Sequence, residues 1–89
     1  MVNVQTGSFH RTAAGALLVV CAGRFPHRAL PLFARVGEVV VEGISISPDG
    51  RRFIGRLARA PNAGDELVVH YLPEPASHTG IRYPSLPLA

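Results

Sequence analysis

At 89 residues the chain has room for one domain with a thin core, and no apolar run approaches the roughly twenty residues that span a bilayer as a helix. Apolar residues make up 47% but charged residues only 17%, less than in an ordinary soluble domain, which points to a lightly charged surface, either buried in part in an assembly or carried by a sticky monomer. All nine cations are arginine, and the net charge of +3 is too weak a field to argue for nucleic acid by itself.

Residues 1–14 mix small and polar groups, with Val2, Val4 and Phe9 spaced for a short irregular strand. Residues 13–22 carry no charge and end at Gly23, and they predict a buried central strand. Their length also suits the core of a signal peptide, with His10 and Arg11 before it and small residues after. The first nine residues hold no basic group and Val20 precedes Cys21, so the strand is preferred. A cytoplasmic location is expected, with secretion as the alternative. Cys21, the single cysteine, excludes an internal disulfide and reads as a small buried hydrophobe.

From Gly23 to Pro31 two prolines break any ladder, so this is a connector. Residues 32–36 resume as a strand, with Phe33 and Arg35 on one face and Leu32, Ala34 and Val36 on the other. Gly37 and Glu38 turn the chain into the next strand. There Val39 and Val41 share one parity while Ile44 and Ile46 take the opposite one. A one-residue bulge at Glu42-Gly43 brings all four to one core.

Ser47-Pro48-Asp49-Gly50 has the residues of a tight turn: a proline that presets φ, an aspartate that bonds its own backbone, and a glycine for positive φ. Residues 51–59 then predict a strand. A helix competes, because Ser47 suits a cap and Arg52, Arg56 and Arg59 would share a helical face. Gly50 and Gly55, each costing about 1 kcal/mol inside a helix, favour the strand. A loop over 60–66 leads to a last strand over 67–72. Residues 73–89 hold four prolines yet keep Ile81, Tyr83, Leu86 and Leu88, which suits an extended tail lying along the domain or reaching another chain.

Several of these segments carry a family likeness. Residues 17–20 followed by Gly23 and Phe25, residues 36–40, residues 51–57 with Pro61, and Gly64 before residues 67–69 resemble in order and spacing the IPT/TIG group of immunoglobulin-like domains. The likeness covers residues 15–72; residues 1–14 lack the family's proline-led opening strand. It implies a seven-stranded sandwich used for binding or spacing, without catalysis, and it transfers no site residues. The expected fold is therefore all-β: a small antiparallel immunoglobulin-like β-sandwich over residues 1–72 with an extended proline-rich tail over 73–89.

No catalytic, cofactor or metal set stands out. His10, His27, His70 and His78 are not at metal-ligand spacing. There is no Gly-x-Ser-x-Gly elbow and no phosphate loop ending in lysine. Glu38 and Glu42 could pair as carboxylates, but such residues on a strand more commonly form a solvated edge. The candidate contacts are Arg51, Arg52, Arg56 and Arg59, either as charges that block edge-to-edge pairing or as a patch for phosphate or an acidic partner. Only Phe53 lies near them to stack a base. The expected function is a non-enzymatic binding or assembly module acting in a homo-oligomer or larger particle, with Ile81, Tyr83, Leu86 and Leu88 as candidate assembly contacts. The alternative is an arginine-mediated nucleic-acid binder.

Overall fold

The computed structural model describes residues 3–25, 32–71 and 75–84. Seven strands form in chain order: β1 (Asn3–Arg11), β2 (Leu17–Arg24), β3 (Leu32–Val36), β4 (Val39–Ile46), β5 (Arg52–Leu57), β6 (Glu66–Tyr71) and β7 (Ser77–Arg82). Among the described residues there is no helix. All pairings are antiparallel, in the order β1-β2-β5-β4-β3-β6-β7. β3 and β4 meet in two residue pairs around the Gly37-Glu38 turn, and the sheet folds over at that hairpin. One half is thus β1-β2-β5-β4 and the other β3-β6-β7. The free edges approach each other, since a methyl group on Gly7 would lie 2.8 Å from Ile81 Cδ1, and the sheet is nearly closed into a barrel.

Inward-facing residues alternate along each strand and meet in one core. Val19, Cys21, Phe53, Leu67, Val69 and Tyr71 are almost fully excluded from solvent. Two edge-to-face ring pairs fix its ends: Phe25 on Phe53 with centroids 5.0 Å apart, and Phe9 on Tyr83 at 5.2 Å.

The predicted bulge forms. Glu42 pairs with Arg56 and Ser45 with Ile54, so β4 spends one residue more than β5 over the same stretch. Gly43 takes φ of 60°, the left-handed conformation that a side chain would strain. Val39 and Val41 are buried, and Ile44 and Ile46 pack partly buried against the same core. Gly55 faces inward on β5, where a methyl group would overlap Val41 Cγ1; its lack of a side chain lets β4 close over β5.

Residues 52–57 are strand, as preferred over helix. The turn before them is held by its own side chains. Gly50 donates to the Ser47 carbonyl at 2.9 Å, the Ser47 hydroxyl donates to Asp49 Oδ1 at 2.5 Å, and the Arg51 amide donates to the same oxygen at 3.1 Å. The Ser47 hydroxyl, followed by the Arg51 amide, holds the Asp49 carboxyl below the usual range.

The expected tail differs from what forms. Ser77–Arg82 pairs with β6 as a seventh strand, and Tyr83 is 5% exposed within the core, so the domain runs past residue 72. The inward positions of β7 are Ser77, Thr79 and Ile81, too polar a set for their alternation to register as a strand, and the prolines flank the strand instead of interrupting it. Thr79 earns its inward place by donating from its hydroxyl to the Leu67 carbonyl at 2.7 Å.

The β6–β7 seam carries a pH-sensitive clasp. Glu66 Oε2 accepts from the Gly80 amide at 2.9 Å, and Oε1 lies 3.1 Å from His78 Nδ1. The Gly80 bond, followed by that from His78, lowers the Glu66 pKa. A carboxylate whose pKa falls on folding stabilises the fold above its unfolded value, near 4.3, and loses that contribution as pH drops through the folded value. The melting temperature of Glu66→Gln is therefore expected to lie below the parent's at neutral pH and to converge with it in acid. Parallel melting curves down to pH 3 would refute the clasp.

Candidate functional site

The outer face of the β1-β2-β5-β4 half is built from register alone. One row across it runs His10, Leu18, Arg56, Glu42; the next Ser8, Val20, Ile54, Ser45; a third Thr6, Ala22, Arg52. The middle of each row is the position that would ordinarily be polar on a solvated sheet. Here Leu18, Val20 and Ala22 are half-buried and Ile54 is 42% exposed. They form a strip of apolar side chains, with Thr6, Ser8 and His10 along one side and Glu42 and Ser45 along the other. Arg52 and Arg56 flank Ile54 along β5, all three pointing outward. Ser8 Oγ and His10 Nε2 lie 2.8 Å apart and tie the polar rim on β1.

The four predicted arginines are exposed but are not one patch. Arg51 lies at one end of the barrel, in a cleft it shares with Arg24, Asn3, Gln5 and Asp49. Two backbone bonds bring these segments together, from Gly23 to the Arg51 carbonyl at 2.9 Å and from Phe25 to the Gly50 carbonyl at 2.7 Å. Arg52 stands on the outer face. Arg56 and Arg59 line a second cleft at the opposite end, together with Arg11 and Glu42. Glu42 pairs with Arg56 across the strands at 3.7 Å; both side chains are more than half exposed, so the pair adds little stability.

The tail candidates divide as well. Ile81 is half-buried opposite Gly7, and the Tyr83 ring packs on Phe9 inside this chain. Leu86 and Leu88 lie outside the described residues, as does His27. His70 pairs across the sheet with Phe33, the rings stacked 5.6 Å apart.

Burial pushes the Cys21 thiol up to about 12, which keeps it protonated and unreactive at neutral pH. Among the described residues no three His, Cys, Asp or Glu side chains are grouped to hold a metal ion, and no helix is long and apolar enough to cross a membrane.

The outer strip was hidden in the sequence because residues 13–22 are apolar at both parities, which reads as burial on both faces. That double apolar parity is itself the signal: the inner parity fills the core, and the outer parity is half-buried as the described residues stand. Arg11 was passed over because it stands alone in the sequence, far from the arginines it joins in space. Comparison with protein-family models, with curated proteins and with solved structures finds no match to this chain.

Proposed function

We propose that this chain is a non-enzymatic β-module that makes protein–protein contacts through the outer face of its β1-β2-β5-β4 half, in a homo-oligomer or a larger particle. The observation that carries the reading is the apolar strip of Leu18, Val20, Ala22 and Ile54 set inside a polar and arginine rim. An apolar centre with a polar edge is the composition of a contact surface, and arginine is favoured there over other charges.

The strand order supports an immunoglobulin-like reading of the fold. β1-β2-β5-β4 and β3-β6-β7 correspond to the A-B-E-D and C-F-G sheets of constant-type immunoglobulin domains. Immunoglobulin-like domains use their outer faces and loops for binding, which supports a contact module.

The alternative, an arginine-mediated nucleic-acid binder, draws less support. Its charges are split between opposite ends of the barrel, and a nucleic-acid strand is gripped by a continuous basic groove.

Light scattering coupled to size-exclusion chromatography tests the assembly reading. The parent is expected to elute as an oligomer, and Ile54→Asp as a monomer that still unfolds cooperatively. A parent that stays monomeric at high concentration, whatever the salt, would sink self-assembly.

A further inference from the structure

We infer that the cleft at the Arg11 end of the barrel is a binding site for a phosphate monoester dianion. Arg11 ends β1, Arg56 lies on β5 and Arg59 follows it; all three line one cleft of about 470 Å³. Glu42 is the single carboxylate among the lining residues, and it is turned toward Arg56 at 3.7 Å. Three guanidinium groups against one carboxylate leave two positive charges uncompensated, which matches a phosphate monoester better than a monocarboxylate.

A second observation is independent of charge. Among the described residues Arg11 Nε is shielded from solvent without a hydrogen-bond partner, and Arg11 Nη1 donates to the Gly15 carbonyl at 3.5 Å. A guanidinium presents its donors in the geometry that a phosphate accepts, and turning the Arg11 side chain toward an oxyanion in the cleft would give its shielded Nε the acceptor it lacks. The backbone beside it is fixed, because the Thr12 amide donates to the Ala16 carbonyl at 2.8 Å and the Thr12 hydroxyl accepts from the Ala16 amide at 3.1 Å. Arg11 is thus held on a closed turn. Arg59 also lines the neighbouring cleft with Glu38 and Asp65, so it is the more weakly committed partner.

The geometry favours one phosphate over a polymer of them. Arg52 and Arg56 are four residues apart on β5, ~13 Å along the strand, with apolar Ile54 between them, and Arg51 and Arg24 belong to the far end. The cleft shares Arg56 and Glu42 with the rim of the outer-face contact but does not depend on assembly: a monomeric protein that binds phosphate would uphold it while removing the assembly reading.

The test is a calorimetric or NMR titration of the full chain with inorganic phosphate, a phosphoserine peptide, acetate and a single-stranded oligonucleotide. Saturable binding of phosphate and of the phosphopeptide is expected, with acetate ineffective at the same concentration. Arg11→Gln is expected to weaken phosphate by about tenfold or more, as the loss of a charge-assisted hydrogen bond does. Arg11→Lys, which keeps the charge without the fork, is expected to fall between the two, Glu42→Gln to bind more tightly, and Arg51→Gln at the other end to match the parent. Thermal melts check that each variant folds; if Arg11→Gln does not, Arg11→Lys and Glu42→Gln decide. The proposal is overturned by the absence of saturable phosphate binding, by an equal response to acetate, by binding of the oligonucleotide alone, or by Arg51→Gln weakening phosphate as much as the Arg11 variants.

Discussion

Phe53→Ala is expected to remove most of the stability of this domain. Phe53 is 1% exposed, faces inward at the centre of β5 and packs its ring edge-to-face on Phe25. Truncating a buried aromatic leaves a cavity that a closely packed interior cannot refill, at a cost of about 3–5 kcal/mol. A domain of this length has roughly 5–10 kcal/mol in all, so the variant would sit near its folding threshold. Urea denaturation measures the loss directly. An outward position outside the proposed contact is the control: Val40 on β4 is 57% exposed, and Val40→Ala is expected to shift the midpoint little. A Phe53→Ala midpoint indistinguishable from the Val40→Ala one would refute the inward placement of Phe53.

The second large effect concerns the end of the domain. Tyr83 is 5% exposed and its ring meets Phe9 at 89° across the seam between β1 and β7. Its backbone is also engaged, donating to the Asp65 carbonyl at 2.9 Å and accepting from the Gly64 amide at 2.9 Å. Tyr83→Ala is expected to cost about 3 kcal/mol, and a chain ended at residue 72 to lose cooperative unfolding altogether, since it would uncover the β6 edge and open the core beneath Phe9. Circular dichroism melts of the point variant and the shortened chain check both. A 1–72 chain that melts cooperatively at the parent's temperature would restore the shorter domain.

These two positions illustrate how differently parts of the chain disclose themselves. The strand that carries Phe53 was legible: the turn before it also suited a helix start, but Gly50 and Gly55 argued against that helix. The bulge at Glu42-Gly43 was legible too, because only a one-residue slip reconciles Val39 and Val41 with Ile44 and Ile46. Tyr83 was not, because β7 presents Ser77, Thr79 and Ile81 inward, and a strand that satisfies its neighbours by hydrogen bonding as much as by apolar packing leaves a faint pattern.

The candidate sites were less legible than the fold. Arg51, Arg52, Arg56 and Arg59 are close in sequence, yet β5 is extended and carries them toward opposite ends of the barrel. Proximity along a strand is distance in space, at about 3.3 Å per residue. Arg11 meets Arg56 and Arg59 only because β1 and β5 flank the same central strand, a fact of strand order that no local pattern contains.

The sequence by itself determined an all-β chain, its central turn and its bulge, because these depend on backbone preferences and on side-chain parity within a few residues. Tertiary structure alone decided that residues 77–83 join the sheet and core, that one parity of the charge-free stretch faces outward beside Ile54, and which arginines share a cleft. Those outcomes follow from which strands lie side by side, and strand order is set by contacts between residues far apart in the chain.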